Sequence, residues 1–447
     1  PEKQYSRSRR RVSPRQASAF RSSNLHPVSL STSFIAHILE LQASYRGTPP
    51  ERILLGKGSL TREERHYLSL QLASEPSLSR KLPSWHTAGV FLPTPLALEQ
   101  CSSEEAARYK QRFVQTGEVL LDLTGGFGVD FTALASEARR AVYVERQAEL
   151  VSAARFNLPR LLPTKDLVII EGESLPQLEE LLATYQPSLI FLDPARREGQ
   201  DTARRVYAIE DCEPDLHRLL PELHTLVEEL QLPHFPRLLV KLSPMLDVVH
   251  TLRSIPGVKE LHVISVRGEA KELLLLIDLE QAKAKPEPES VTIIAQDLRP
   301  DGSIPEFSLV RALAQEEQEE AHYASAPLRY LFEPHAALMK TGLFRSIGRA
   351  YGVQALHPNT HLYTSEHLPE GKFPGRVFEV ERIYPFASSQ LKAIGREIQQ
   401  AEITCRNFPL RPEALRSRLR LKDGGTKTLL ALTASDGAHL LVLCHRL

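Results

Sequence analysis

The chain reads as an α/β protein built on a mostly parallel seven-stranded sheet, with a helical region before it and α+β modules after it. Three observations predict this. Residues 117–280 alternate short apolar strands with helical segments, which calls for a parallel sheet covered on both faces. The last two strands of that region are joined only by "RGEAKE", too short for a helical crossover, so they pair antiparallel. Beyond the charged, proline-containing stretch "QAKAKPEPESV" (281–291), strands and short helices mix without that alternation.

Each region follows from its own residues. The start, "PEKQYSRSRRRVSPRQ", is basic and has no apolar segment behind it, so it is not a secretory signal. Residues 1–19 are expected to be a solvated, disordered tail, with a nucleic-acid-touching arm as the minority alternative. Residues 20–116 show helical spacing of apolar residues in "SFIAHILELQ" and "TREERHYLSLQLA". In "CSSEEAARYKQRF", Ser102 and Glu105 have capping-box spacing and open a fresh helix. Strands are expected at 118–123, 141–145, 167–171, 188–193, 237–242, 260–266 and 272–279, with helices near 128–138, 147–158, 175–184, 214–230 and 246–253. Five parallel β-α units followed by a hairpin is the layout of the class I, Rossmann-like methyltransferase sheet. Residues 281–291 read as a linker, 291–370 as one module and 371–447 as a second, small α+β module.

Lys plus Arg and Asp plus Glu each number 55, so any charged partner must be met by local patches rather than by net charge. The four cysteines (Cys101, Cys212, Cys405, Cys444) are scattered, which argues against a zinc site and a disulfide scaffold and fits a reducing cytoplasm. No apolar run approaches the roughly 20 residues that span a bilayer.

The most informative stretch is "VLLDLTGGFGVDF" (119–131). A strand ends in Asp122, and Thr124, Gly125, Gly126 and Gly128 form a turn into a helix. Glycines suit a loop that a ligand's atoms approach closely. The helix N-terminus offers N–H groups to a carboxylate and Asp122 can hold an ammonium. Those are the two ends of the methionine part of S-adenosylmethionine. The spacing D-x-x-x-G-x-G differs from the G-x-G-x-x-G of pyrophosphate binders. A tight strand–helix turn is the bland alternative. Glu145 ends the next strand, where an acid can accept from both ribose hydroxyls of a nucleoside cofactor. Taken alone it would be a solvated strand-end charge. Glu173, or Ser174 beside it, stands after the third strand in position to meet an adenine amino group.

In "SLIFLDPARREG" the fourth strand ends in Asp193 at the switch point where open α/β sheets place ligands. Pro194 stiffens the loop, and Asp193 can orient or deprotonate an acceptor. A turn cap is the structural alternative. Arg196 and Arg197, followed by Arg204 and Arg205, are phosphate-contact candidates as a group and solvated charges singly. The fifth strand, "RLLVKLSPMLD", brings Lys241 and Ser243 to the same rim; Lys241 either meets the substrate or pairs with Asp193. No cysteine nucleophile sits on that loop, and Cys212 reads as a structural thiol entering a helix, so transfer to nitrogen or oxygen is preferred. Gln100, Ser102 and Ser103 are placed near the amino-acid end of the cofactor, although capping explains the serines almost as well. Trp85 reads as a core or hinge residue, with base stacking as the alternative. No carboxylate or histidine cluster joins Asp193, so no metal is expected.

Together "EQCSSEEAARYK", "DLTGGFGVD", "IFLDPARR", "VKLSPMLD", "YLFEPHAALMKTGLF", "NTHLYTSE" and "CRNFPLRPEALRSRLRLKDGG" resemble a bacterial family of class I S-adenosylmethionine-dependent methyltransferases. That family carries a ferredoxin-like segment and a C-terminal THUMP-like domain. The resemblance implies S-adenosylmethionine as cofactor, held by Asp122, Gly126, Gly128 and Glu145, and RNA as the substrate class. It also makes 291–370 the ferredoxin-like domain and 371–447 the THUMP-like domain. Independently, Arg406, Arg411, Arg416, Arg418, Arg420, Lys422 and Lys427 crowd one stretch of the last module. Such a stripe is a footprint for phosphates, or else a solvated helix. Arg416 and Arg420 are expected to share a helix face. The sequence thus predicts a methyltransferase acting on a nitrogen or oxygen of structured RNA, tRNA or rRNA. A methyltransferase of protein or small molecules, and a non-catalytic RNA-binding relative, are the alternatives.

Overall fold

A computed structural model of the protein describes residues 29–56, 58–196, 209–299 and 305–447. The expected tail at 1–19, and Arg197, Arg204 and Arg205, lie outside the described residues. The larger sheet is formed by β1 (Val119–Asp122), β2 (Arg140–Glu145), β3 (Asp166–Glu171), β4 (Leu189–Leu192), β5 (Arg237–Leu242), β6 (Val258–Val266), β7 (Glu269–Asp278), β8 (Thr292–Leu298) and β9 (Phe307–Leu309). Their order is β9-β8-β6-β7-β5-β4-β1-β2-β3. β1 to β5 run parallel, and β7 lies antiparallel between β5 and β6. β1 and β4 are short and wholly buried, as central strands of a two-sided parallel sheet must be. Helices cover both faces; in Leu216–Glu229 the buried Leu216, Leu219, Leu220, Leu223 and Val227 repeat at helical spacing, and the Asp215 side chain accepts from the His217 N–H at the helix start.

The sheet has nine strands rather than the expected seven. β8 pairs parallel with β6 and β9 antiparallel with β8. Short 3-10 turns at Leu279–Gln281 and Pro288–Ser290 bracket the stretch read as a linker, and the chain returns to the same sheet. Burial explains this: Ile293, Ile294 and Ala295 cover an edge that β6 would otherwise leave open. Residues 292–309 therefore belong with the first sheet, not with the module after it.

The N-terminal helices dock on the helix Ala148–Leu161. Asn157, fully buried, accepts from the Phe91 N–H and donates to the Phe91 carbonyl, both at 2.8 Å, as a neighbouring strand would. Tyr67 donates to Glu149 at 2.8 Å, and Trp85 is buried against Phe127 with ring centroids 5.0 Å apart. Trp85 is thus a core residue pressed onto the glycine loop.

A second sheet comprises β10 (Tyr330–Pro334), β11 (Gln354–Ala355), β12 (Tyr363–Ser365), β13 (Gly375–Pro385), β14 (Glu402–Arg406), β15 (Lys427–Thr433) and β16 (His439–Arg446), in the order β11-β12-β10-β13-β16-β15-β14. The helix Ala336–Thr341 joins it to the first sheet: Ala337 and Leu338 share one core with Val263, Leu275 and Ile293. Helices Leu391–Ile398 and Pro412–Leu419 cover the far end of this sheet and cross at Gly395, where a Cβ would stand 1.8 Å from the Leu419 carbonyl oxygen. Gly395→Ala is expected to force these helices apart and cost roughly 1–3 kcal/mol. Urea unfolding followed by far-UV circular dichroism measures it; an unchanged midpoint would refute that contact.

Candidate active site

The candidate site lies at the carboxyl ends of β1, β2, β4 and β5. Asp122 is 1% exposed. One of its carboxyl oxygens accepts from the Thr124 N–H at 2.8 Å; the other, also buried, has no partner. Burial pushes Asp122 up to about 8, and the charges of Asp130, Asp193 and Glu145 act in the same direction. Glu145 accepts from the Gly126 N–H at 2.9 Å and the Gln147 N–H at 2.8 Å, which ties the glycine loop to the end of β2. The loop is supported from beneath by Tyr143, whose hydroxyl donates to the Gly126 carbonyl. Gly125 lies so close over that ring that a Cβ would reach 2.2 Å from it, so its glycine serves packing. Gly126 and Gly128 have positive φ (57° and 86°), which favours glycine at both.

Asp193 directly follows β4, and its backbone N–H donates to the Thr124 Oγ1 at 2.7 Å, which ties the end of that strand to the loop after β1. Its side chain is 39% exposed and reaches the Lys241 Nζ at 2.5 Å. Lys241 in turn lies 2.8 Å from Asp130. Asp130 is 3.0 Å from Lys110, and Lys110, fully buried, is 2.6 Å from Glu272. Ser102 donates to Asp130 at 2.8 Å. Burial opposes ionisation of both Asp130 and Lys241, yet opposite charges outweigh it: the lysines hold Asp130 below the usual carboxylate range, and Asp130 with Asp193 and Glu272 holds Lys241 above the usual ammonium range.

Lys241 is therefore an ion-pair partner of Asp193 rather than a free substrate ligand. Ser103 caps the helix that starts at Glu104, its hydroxyl accepting from the Ala106 N–H at 3.3 Å; Ser102, one residue earlier, turns inward. Gln100 is exposed at the end of its helix. Glu173 is exposed beyond β3, 3.5 Å from Arg146. Pro194 is half-buried, and Ser243 is exposed and accepts from the Met245 N–H at 3.2 Å. Arg196 lies on a two-stranded ribbon with Cys212, which is on a strand and not entering a helix. In the last module Arg406 pairs with Glu333 at 2.5 Å, Arg416 with Asp423 at 2.6 Å and Lys427 with Glu381 at 2.8 Å. Arg420 does not share a helix face with Arg416, because the helix stops at Leu419 and Arg420 caps it with a left-handed backbone. Arg411, Arg418, Arg420 and Lys422 remain exposed.

Lys110 and Glu272 had no individual signal in the sequence. The usable hint was an acid in the first turn after the glycines, "GFGVD", which needs a buried cation. Among the described residues, no group of three His, Cys, Asp or Glu side chains is placed to hold a metal, and no helix is long and apolar enough to cross a membrane.

Comparison with known proteins gives the family. Residues 30–74 match "N-terminal domain in putative methyltransferase", 330–374 a ferredoxin-like domain and 375–446 "THUMP domain-like". The crystal structure of a putative methyltransferase from Porphyromonas gingivalis W83 is 40% identical, covering 94% of this chain and 100% of that one, with a TM-score of 0.84. The chain belongs to that methyltransferase family. Its members join a class I α/β methyltransferase sheet to ferredoxin-like and THUMP-like C-terminal domains. More distantly, uncharacterized S-adenosylmethionine-dependent methyltransferases from two Mycobacterium tuberculosis strains are 26% identical over 351 residues, 78% of this chain and 86% of theirs. The family's two C-terminal modules meet at residues 374 and 375, between strands of one sheet.

Two outcomes follow for this site. Asp122 binds its proton in the folded chain up to about pH 8 but only to about 3.9 when unfolded, so its contribution is full below pH 4 and is lost as pH rises toward and through 8. The ligand-free Asp122→Asn variant should therefore gain stability relative to wild type as pH is raised from 5 to 8.5, by an amount on the order of a few kcal/mol. Thermal melts across that range test this; a constant difference would show that Asp122 is ionised throughout. Lys110→Met should cost about 3–5 kcal/mol by stranding Glu272, and adding Glu272→Leu should recover part of it. Urea titration of the two variants decides.

Proposed function

We propose that the protein transfers a methyl group from S-adenosylmethionine to a nitrogen or oxygen of structured RNA, tRNA or rRNA. The observation that carries the reading is the 2.7 Å bond from the Asp193 N–H to the Thr124 hydroxyl. It fixes the loop that would hold the donor against the loop that would face the acceptor. The residues fit the cofactor: a buried carboxyl oxygen of Asp122 lacks a partner, which is the situation an ammonium would relieve. Glu145 offers its remaining lone pairs to ribose hydroxyls, and Gly126 and Gly128 give access to backbone N–H groups. When bound, S-adenosylmethionine supplies an electrophilic methyl group on sulfur.

The rest is done by this chain's side chains. Asp193 accepts a hydrogen bond from the acceptor N–H or O–H and takes its proton as the bond to carbon forms. Lys241 is a positioning residue that aims Asp193 and favours its ionised form. Holding both reactants in line supplies most of the barrier reduction, for which about 7–11 kcal/mol is the general ceiling. The thiol nearest the network, Cys101, is pushed up to about 11 by burial, which supports nitrogen or oxygen over a cysteine-assisted carbon acceptor. The THUMP-like module and the exposed Arg411, Arg418, Arg420 and Lys422 support RNA as the substrate.

Calorimetry should detect S-adenosylmethionine binding that weakens at least tenfold in Asp122→Ala and Glu145→Ala. Asp193→Asn should keep that affinity while methyl transfer drops about 10²–10⁴-fold. Radiolabelled methyl transfer to total RNA from cells lacking the protein reads the second effect. Label passing to protein or metabolites instead would overturn the RNA assignment.

A further inference from the structure

Away from the methyl-transfer site, a cavity of about 470 Å³ opens in the ferredoxin-like part of the chain. None of its wall comes from the sheet that carries Asp122, Glu145 and Asp193; all of it lies within residues 319–363. Six rings stand on the wall, those of Tyr323, Phe344, Tyr363, His322, His357 and His361. Phe344 and His361 stack nearly parallel, with ring centroids 4.0 Å apart and planes 22° from each other. Tyr363 is buried behind them, its hydroxyl donating to the Phe344 carbonyl at 2.8 Å. Tyr323, 43% exposed, stands on the wall formed by its bridge to Ala355. His361 holds this position with a φ of 53°, a left-handed backbone that non-glycine residues rarely adopt and that the surrounding packing must stabilise.

The wall also carries charge of both signs: Glu319 and Glu320 stand on it with Arg345 and Arg349, and Arg349 is paired with Glu319 at 2.5 Å. His357 Nδ1 accepts from the Asn359 N–H at 3.0 Å, so its Nε2 carries the proton and is a donor. Arg345 is exposed and forms no ion pair among the described residues; its guanidinium donates to the Glu319 carbonyl at 3.4 Å. Burial and the nearby Arg406 keep His361 below its ordinary value, so its ring is neutral near pH 7. A space of this size, with several rings, a ring N–H donor and an arginine left over once Arg349 has met Glu319, suits a planar heterocycle bearing a phosphate directed away from Glu320.

We propose that this cavity binds one unpaired nucleotide of the RNA substrate, its base against the Tyr323 and His361 side and its phosphate toward Arg345. This rests on the RNA reading above and adds a second contact, separate from the nucleotide that is methylated. Holding one extruded base away from the reaction centre would select RNA by the position of a loop or bulge.

The test uses the full chain with a fluorescein-labelled single-stranded RNA, the same strand with abasic residues, and the four nucleoside monophosphates. Tyr323→Ala removes an exposed ring, and His361→Asn removes the imidazole while tolerating the left-handed backbone. Wild type should bind the RNA by anisotropy and the abasic strand at least tenfold more weakly. Each variant should bind RNA about fivefold to a hundredfold more weakly, with melting temperature and S-adenosylmethionine affinity unchanged. Equal RNA binding by wild type and both variants, or equal binding of the intact and abasic strands, would overturn the pocket while leaving methyl transfer to RNA standing. Binding of monophosphates without binding of RNA would overturn the RNA source of the ligand. Absence of methyl transfer to RNA by wild type would instead remove the reading on which the pocket rests.

Discussion

Five charged side chains meet at the centre of the candidate site, and the requirement that buried charge be matched governs the structure around them. Lys110 comes from the helical turn before β1, Glu272 from β7, Asp130 from the helix after the glycine loop, Lys241 from β5 and Asp193 from the end of β4. An uncompensated ion in such a place costs several kcal/mol. None of these elements can therefore seat correctly until the others have done so. The helical turn before β1, the helix after the glycine loop and Asp193 are tied together as a result. Trp85 against Phe127 and the Asn157 bridge to Phe91 extend these ties into the first helices.

The same centre carries an opposing feature. Asp122 sits beside this balanced chain yet keeps one carboxyl oxygen without a partner. A protein under selection for stability alone would fill or satisfy that position. Leaving it open is the kind of local cost that sites of ligand binding tolerate. The charge balance beside it supplies the rigidity that keeps the loop from collapsing onto the open group.

Much of the sheet was legible because its signals are local. β1, β2, β4 and β5 are short, mainly apolar runs of a kind that a covered sheet buries, and the brevity of "RGEAKE" fixed the antiparallel turn between β6 and β7. The glycines and the acids at strand ends were legible for the same reason. β8 was not, because the charged, proline-containing residues before it carry the usual marks of a linker, and only pairing across to β6 gives Thr292–Leu298 its place. Lys110 and Glu272 were illegible in a deeper sense. They lie 162 residues apart, and in sequence each is an ordinary charge on an ordinary element. The basic stripe was overread: Arg406, Arg416 and Lys427 spend their charge on Glu333, Asp423 and Glu381, partners that adjacency in sequence does not reveal.

β13 runs from Gly375 to Pro385 and pairs with β10 along one part and with β16 along the other. The ferredoxin-like and THUMP-like families meet at its first residue, which invites cutting the chain there. Such a cut would strip β10 of a full set of backbone partners on one side and leave the first half of β13 as a raw border on the other. Exposed borders of that kind recruit strands from neighbouring chains and precipitate. The natural seam for dissecting this protein is consequently not where its families divide. Fragments meant for separate study should keep 330–447 as one piece.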